Sequence, residues 1–266
     1  MKEFGKYYPS SKYYSYSNSN KKDFFGTIRA YLVRSYYKEN FFFRLFSFFV
    51  ISVPAIPSAP IGKILDVGCG TGETLSLLKE VGWNVYGLDL DKDAINIAKK
   101  RGITAKIGSY EEIESFPKDY FDAIRLYHVI EHIGDPSVAL KLIYLRLKPG
   151  GQLILGAPNY NSIVRKIFGS FWYNLDAPRH LFLFSPKNLI ALGKKNGFID
   201  PHVDYFAAGG ILGSIQYIIN EKFNKKVDLL SNIFLVLLFF IPELLTNKLS
   251  AGDIFTLRMY KKKYRV

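Results

Sequence analysis

A chain of 266 residues with 48% apolar content carries enough hydrophobic material for one large domain with additions. A lone cysteine, Cys69, excludes an internal disulfide framework and suits a reducing cytoplasm. Its 36 lysines and arginines against 23 acids leave a net charge of +13, which favours anionic partners such as nucleic acid, anionic lipid or a phosphorylated substrate, or else a solvated basic face.

Residues 1 to 27 read as an aromatic and polar arm, with Tyr7, Tyr8, Tyr13, Tyr14 and Tyr16 set among Ser, Asn and Lys. Such a stretch cannot build its own core, so packing on the main domain is expected. The first 40 residues show no apolar h-region of a secretory signal. Residues 28–53 predict a helix containing the apolar run FFFRLFSFFVISV at 41–53, after which Pro54, Pro57 and Pro60 predict an extended linker. An arm and apolar helix over 1–60 should thus precede the main domain over 61–266.

From Lys63 strand and helix patterns alternate, as in an α/β sheet with crossover helices. Strands are predicted at 63–67, 84–88, 104–107, 121–127, 152–156, 198–206 and 254–260. Helices are predicted at 72–81, 92–100, 136–147 and 186–196, with Ser185-Pro186 as the last one's cap and Gly197 as its stop. The stretch over 207–252 is too long for a hairpin and forms an insertion. It contains a second apolar run, 233–241, which stops at Pro242. A spanning helix needs about 20 apolar residues, so neither apolar run should span alone. Each suits either a buried helix or one lying on a membrane surface, and peripheral contact through 41–53 and 233–245 is the sharper of the two.

The most specific signal is Ile64-Leu-Asp-Val-Gly-Cys-Gly-Thr-Gly72, with Asp89 ending the next strand. A buried strand that runs into a glycine turn and a helix, paired with a carboxylate on the second strand, suits an adenosine-containing cofactor. The glycines are spaced G-x-G-x-G, and Glu73 stands where a dinucleotide fingerprint needs its third glycine. A carboxylate at that helix N-terminus disfavours a pyrophosphate. In these residues the chain resembles class I S-adenosylmethionine (SAM)-dependent methyltransferases.

That resemblance implies a doubly wound Rossmann-like sheet of order 3-2-1-4-5-7-6 with an antiparallel strand seven. It also implies SAM as cofactor. Gly68, Gly70 and Gly72 would let the backbone approach the methionine part. Asp66 would orient the ligand ammonium, Asp89 would accept from the ribose hydroxyls, and Leu90 would flank the adenine. The acid that many relatives place after strand three is absent; Ser109 and Tyr110 stand there, and Ser109 or a backbone carbonyl is the substitute. Cys69 reads as a small residue in a tight turn.

The run His128-Val-Ile-Glu131-His132 follows strand four at the carboxyl edge of the sheet, where ligands bind in open α/β folds. His128 is grouped with the cofactor contacts, and Glu131 and His132 with the chemistry. Three tasks fit them: general base, divalent ligand, or hydrogen bonds that only shape the pocket. The run resembles the H-x-x-E-H loop of type 11, 12 and 23 methyltransferases. A similar E-x-x-E-H motif is linked to metal in ubiquinone-biosynthesis O-methyltransferases, but His128 replaces its first glutamate, and no metal is expected here. Further on, Trp172 to Ser185 resembles the W-x-x-x-D-x-P-R-H-L-x-x-F-S signature of type 23 enzymes. There Arg179 is a candidate anion grip and His180 an alternative base, unless Asp176 pairs with Arg179 in a closed loop.

The resemblance runs from Ile61 to Lys263. The segment YYPSSKYYSY is similar to the N-terminus of methyltransferases found among surface-polysaccharide genes. It implies O-methylation of a sugar or other envelope precursor, small or carried on a lipid or nucleotide. A quinone-type acceptor at a membrane surface is the alternative. A non-catalytic SAM-binding scaffold stands as the reading from another class. Nucleic acid is disfavoured, because no RNA-binding module accompanies the charge. The expected location is cytoplasmic, at most peripheral to the inner face of the membrane.

Overall fold

Short apolar runs bounded by glycine turns build a sheet because each is too short to bury a face alone. In the computed structural model, which describes residues 24–37, 55–206 and 209–263, seven strands pair in the order 3-2-1-4-5-7-6. They are β1 (Lys63–Val67), β2 (Asn84–Asp89), β3 (Thr104–Ile107), β4 (Phe121–Tyr127), β5 (Leu147–Pro158), β6 (Phe198–Phe206) and β7 (Ile254–Lys261). All pairings are parallel except those of β7, which is antiparallel to both β5 and β6. The expected Rossmann-like architecture is therefore present, strand for strand.

The strand order reverses at β1, so the crossover helices divide between two faces. On one face α2 (Glu73–Glu80) and α3 (Lys92–Lys100) bury Leu75, Leu78, Ile95 and Ala98. The N-terminal helix α1 (Phe24–Tyr37) joins the same apolar cluster through Val33, and the following linker joins it through Ile56. On the other face α4 (Pro136–Arg146) and α6 (Pro186–Lys195) contribute Ala139, Leu140, Ile143 and Leu189. Capping fixes where these helices start. Asp91 and Asp135 accept from the first backbone N–H groups of α3 and α4, and Ser185 caps α6 ahead of Pro186 as expected.

Several boundaries differ from the sequence reading. Strand β5 begins at Leu147 rather than 152, because Lys148–Gly151 forms an irregularity inside the strand, with Gly150 at φ 78°, instead of a turn before it. Helix α1 starts at Phe24; the apolar run at 41–53 and the tyrosine arm lie outside the described residues. A short helix α5 (Ile163–Phe168) and 3₁₀ turns at Tyr110–Ser115, Gly169–Phe171 and Tyr173–Leu175 follow β3 and β5 where only loops were read.

The insertion between β6 and β7 holds α7 (Gly210–Lys222) and α8 (Ile233–Lys248). Helix α8 does not stop at Pro242. The proline lies on the exposed side, where the Leu238 carbonyl it deprives of a donor can turn to solvent, so the helix continues to Lys248. The two helices are clamped by Glu243, 4% exposed, whose oxygens accept from Gly209 N and Ile211 N at 2.9 Å each. This side chain caps α7, whose own N-terminal residue, Gly209, has none to offer. Glu243→Ala would leave two backbone donors without their acceptor. It should lower stability by about 1–3 kcal/mol and speed amide exchange across α7 and α8 before the sheet, measurable by hydrogen exchange.

Candidate active site

The carboxyl edge of the parallel strands carries nearly every residue singled out above. Between β1 and α2, Gly68, Gly70 and Gly72 all adopt positive φ, at 73°, 52° and 76°. A side chain at Gly68 would run into Val129, and one at Gly72 into Ile103, so the turn tolerates neither. Gly68 N and Cys69 N both donate to Leu88 O, and Gly70 N donates to Asp89 Oδ2 at 2.7 Å. Asp89 Oδ1 accepts from Asp91 N at 2.9 Å. Asp89 thus holds the glycine turn and the start of the next loop together at the end of β2. Burial pushes its carboxyl above the usual range, against the pull of these N–H donors. Leu90 beside it is 75% exposed, an open apolar surface at the position expected to flank a base.

Asp66 has a task that the sequence did not announce. It is 1% exposed, and both its oxygens accept from Arg125 Nη1, at 2.9 and 2.7 Å. Arg125 Nε in turn donates to Ala55 O, and the guanidinium lies over the Tyr127 ring at 4.7 Å. The carboxylate expected to orient an ammonium is therefore taken up by a buried cation of β4. Burial still raises its pKa, with Arg125 opposing. Cys69 fits the unreactive reading, since burial first, then Asp66 and Asp89, push its thiol far up.

After β3, Ser109 accepts from Glu111 N and caps the 3₁₀ turn that Tyr110 begins. Tyr110 packs against the main core. Glu73 at the start of α2 sits 3.9 Å from Arg29 of α1 and 4.0 Å from Arg101, so α1 reaches across to the cofactor side of the sheet.

The H-x-x-E-H residues and the W-x-x-x-D-x-P-R-H segment meet in space. Leu181 N and Phe182 N both donate to Glu131 O, which fastens the second segment over the first. The Glu131 side chain is fully enclosed, with His128 Nδ1 3.4 Å and His180 Nε2 3.9 Å from Oε1. Neither carboxylate oxygen has a well-formed hydrogen bond among the described residues. Burial pushes the Glu131 carboxyl up, but the hydrogen-bonding and charge of His128, then the charge of His132, outweigh it and hold the group below the usual range. The rings of His132 and His180 lie 4.8 Å apart.

Backbone carbonyls fix both tautomers. His132 Nδ1 is 2.9 Å from Arg179 O, and His180 Nδ1 is 3.1 Å from Asn174 O. A carbonyl only accepts, so each Nδ1 carries a proton and Nε2 is the nitrogen left to take or give one. Burial foremost, with His132 adding to it, lowers the His180 pKa against the pull of Glu131 and Asp176. The lowered pKa favours the neutral ring of His180, whose free nitrogen is then Nε2. The facing donor atoms of Glu131, His132 and His180 lie within 4.8 Å of one another, a carboxylate and two imidazoles of the kind that hold a divalent ion. The donor set differs from the His128-Glu131-His132 combination read from sequence, since His180 joins it through the fold.

Arg179 is engaged in its own loop. Its Nε donates to Asp176 Oδ1 at 2.9 Å and its Nη2 bonds the same oxygen, which is the closed alternative. Asp176 adopts φ 42°, and the Ala177–Pro178 peptide that follows is cis.

Sequence reasoning missed the anchor of the Trp172–Ser185 segment. Asp253, 1% exposed and just before β7, accepts from Trp172 Nε1, Ser162 Oγ and Asn174 Nδ2. Its position one residue ahead of an apolar strand was the available signal, as was Arg125 within the mostly apolar run of β4.

Comparison with known proteins agrees with this geometry. A family model described as a methyltransferase domain, of type 23, matches residues 37–201. A ubiquinone biosynthesis O-methyltransferase from Aeromonas salmonicida is 25% identical over 149 residues, 52% of this chain and 63% of that protein. One from Coxiella burnetii is 30% identical over 129 residues, 47% and 53% of the two chains. The chain thus spans little more than half the length of these curated relatives. Among solved structures, a SAM-dependent methyltransferase from Thermotoga maritima superposes with TM-score 0.55 at 18% identity, covering 98% of this chain and 95% of that one. Phosphoethanolamine N-methyltransferase 2 of Haemonchus contortus, in complex with SAM, gives TM-score 0.51 at 21% identity over 79% and 50%. At these identities the likeness establishes the fold.

The two carboxylates at the glycine turn should separate in experiment. Asp66→Ala strands a buried Arg125 and should destabilise the protein by about 3–5 kcal/mol in denaturant unfolding. Asp89→Ala should leave a folded protein whose affinity for S-adenosylhomocysteine falls by about tenfold or more in calorimetric titration. Equal losses of stability from both would contradict this division.

Proposed function

The chain belongs to the type 23 family of methyltransferase domains, whose cofactor is SAM, and from that premise we propose that it catalyses methyl transfer from SAM to a hydroxyl oxygen of a lipophilic or membrane-associated acceptor. The observation that carries this reading is His180, whose Nδ1 is held by the Asn174 carbonyl and whose Nε2 faces the buried Glu131 under residues 169–185.

The sulfonium of SAM is already activated, so the protein must align donor and acceptor and take up the hydroxyl proton. In this proposal the glycine turn and Asp89 seat the cofactor, Leu90 flanks its base, and the loop from Gly108 to Tyr110 closes the far side. His128, near Glu131 at the end of β4, borders both halves of the site. The acceptor enters beneath residues 169–185. His180 takes its proton at Nε2, and the negative Glu131 stabilises the imidazolium that forms. His132 lies beside it as the second imidazole, and the carbonyls of Asn174 and Arg179 hold both rings in place. The Arg179–Asp176 pair shapes the lid instead of gripping an anion. The oxygen-directed, lipophilic choice draws on the names of the curated relatives and on the apolar surface around the lid, where Leu181 and Phe182 are each about 40% exposed. A sugar or envelope-precursor acceptor is the second reading; its support is the tyrosine-rich N-terminal sequence.

His180→Ala should lower kcat for labelled methyl transfer to a catechol or polyprenyl-phenol acceptor by about 10²–10⁴-fold while sparing S-adenosylhomocysteine binding. Because the base must be neutral and its pKa is lowered, the acid limb of the kcat profile should fall with a midpoint below the ordinary imidazole value of 6.5. A chelator should leave kcat unchanged. Loss of activity on chelation, restored by a divalent ion, would replace the base reading with a metal held by Glu131, His132 and His180.

A further inference from the structure

Helix α8 is amphipathic the wrong way round for a surface helix in water. Its buried residues are Glu243 and Thr246, whereas Phe234, Leu237, Leu238, Ile241 and Leu245 are each 56–79% exposed. These five fall at spacings of three and four and form one stripe along the outer side. Water-facing helices put the charged side out; this one puts it in, where Glu243 caps α7. Exposed apolar surface of this extent marks a docking site, and the medium it meets must be apolar.

The rest of the hairpin indicates what that medium is. Since Glu243 of α8 reaches the start of α7, the helices are antiparallel and the end of α7 lies beside the start of α8. At this tip Phe223 is 65% exposed, flanked by exposed Lys222, Lys225 and Lys226. Over 209–252 four exposed lysines, with Lys248 at the far end, face two exposed acids, Glu221 and Asp228. Apolar side chains inserted among lysines are what an anionic lipid surface receives. The apolar run at 41–53 is a poorer occupant, because it brings Arg44 and no acid to these lysines. A second copy meeting this face would bring lysine to lysine. Helix α8 is 16 residues long, about 24 Å against a hydrocarbon core of about 30 Å. No helix among the described residues is long and apolar enough to cross a membrane. The stripe must therefore lie in the plane of the interface.

We propose that the α7–α8 hairpin is a membrane-docking foot: the α8 stripe and Phe223 enter the interface of an anionic bilayer and the tip lysines meet its headgroups. The opposite side of α7 carries the lid. Ser214 Oγ accepts from Tyr173 N at 3.0 Å, Gly213 leaves room for the Tyr173 ring, and Tyr173 and Tyr217 lie 5.3 Å apart. Docking thus holds the hairpin that carries the lid at the bilayer, which shortens the path of a membrane-dissolved acceptor to Glu131 and His180. The delivery step rests on the acceptor reading above; docking itself does not.

The test is flotation of the full chain with vesicles of phosphatidylcholine alone and of phosphatidylcholine mixed with phosphatidylglycerol. The wild type should float with the anionic vesicles only. Leu238→Glu combined with Ile241→Glu, both at exposed positions, should weaken binding by about tenfold or more, with the unfolding midpoint and S-adenosylhomocysteine affinity unchanged. Lys225→Glu with Lys226→Glu should weaken binding and flatten its salt dependence. If the glutamates disturb folding, Phe234→Ser carries the same expectation. Absence of vesicle binding, or undiminished binding by the α8 variants, overturns the proposal. So does a wild-type dimer that fails to float and that the α8 variants dissolve, which assigns the stripe to a second copy. Intact S-adenosylhomocysteine binding in any of these outcomes keeps the failure of docking separate from a failure of the cofactor reading.

Discussion

Arg125 sits in the middle of β4, in the strand that the sheet order places beside β1, and its guanidinium touches three separate parts of the chain. It holds Asp66 on β1, the carbonyl of Ala55 in the N-terminal linker, and the face of Tyr127 two residues along its own strand. Two charges with 6% and 1% exposure cannot persist in an apolar interior unless each answers the other. The pair therefore fixes the register of β1 against β4 from within and draws the linker onto the sheet. Because Gly68 follows Asp66 by two residues, that constraint is passed to the glycine turn. The conformation of Gly68 to Gly72 is then completed from the other side by Asp89. The cofactor side of the fold is preorganised by carboxylates whose oxygens are held by N–H donors of the protein itself.

The acceptor side depends on Asp253 in a similar way. This buried carboxylate gathers Trp172, Asn174 and Ser162, three residues on the long connection between β5 and α6, at the start of β7. Asn174 passes the constraint on, since its carbonyl receives the His180 Nδ1 proton. The tautomer of the proposed base is thus set by a chain of contacts that begins at a strand end remote in sequence. Glu131 completes the arrangement: a carboxylate enclosed by protein, held below its usual range by His128 and His132 against its burial, and lacking well-formed hydrogen bonds of its own among the described residues. Such a group is expensive to keep unless function retains it, which is the reason to place the chemistry there and not at the exposed Arg179 loop.

The strand segments and the glycine turn were legible because both are local, whereas the strand order came with the family resemblance. A five-residue apolar run, glycines at fixed spacing and a carboxylate at a strand end are properties of neighbours in sequence, and tertiary context does not override them here. The pairing of Glu131 with His180 was half legible: each lay in a motif, but their meeting depends on Leu181 and Phe182 donating to the Glu131 carbonyl. Arg125 and Asp253 were not found, since a single charge in or beside an apolar strand declares neither its partner nor its burial. Arg179 carried two readings, an anion grip or a pair with Asp176, and the pair is the one seen. Its chemistry suits an anion, yet Asp176 three residues earlier satisfies it first. The boundary error at Leu147 has a different origin. A Pro-Gly-Gly run ends an element only when the freed backbone groups have nowhere to go, and the irregularity within β5 offers an outlet; Pro242 is tolerated inside α8 in the same way.

The insertion connects these two halves to the outside. In sequence, α8 looked like a core helix or a surface one, and composition alone could not choose, because periodicity gives a face without saying which way it points. The buried Glu243 decides it. A glutamate that caps α7 and is 4% exposed must point inward, and the leucines on the other side of the same helix are then forced outward. That orientation follows from satisfying two backbone donors, a requirement worth more than hiding any one leucine from water. The cap thereby gives the protein an apolar face on the same hairpin that holds Tyr173 and the lid. A contact made by α8 with its surroundings is mechanically one helix away from Tyr173, so the proposed docking and the proposed acceptor site share a single supersecondary unit.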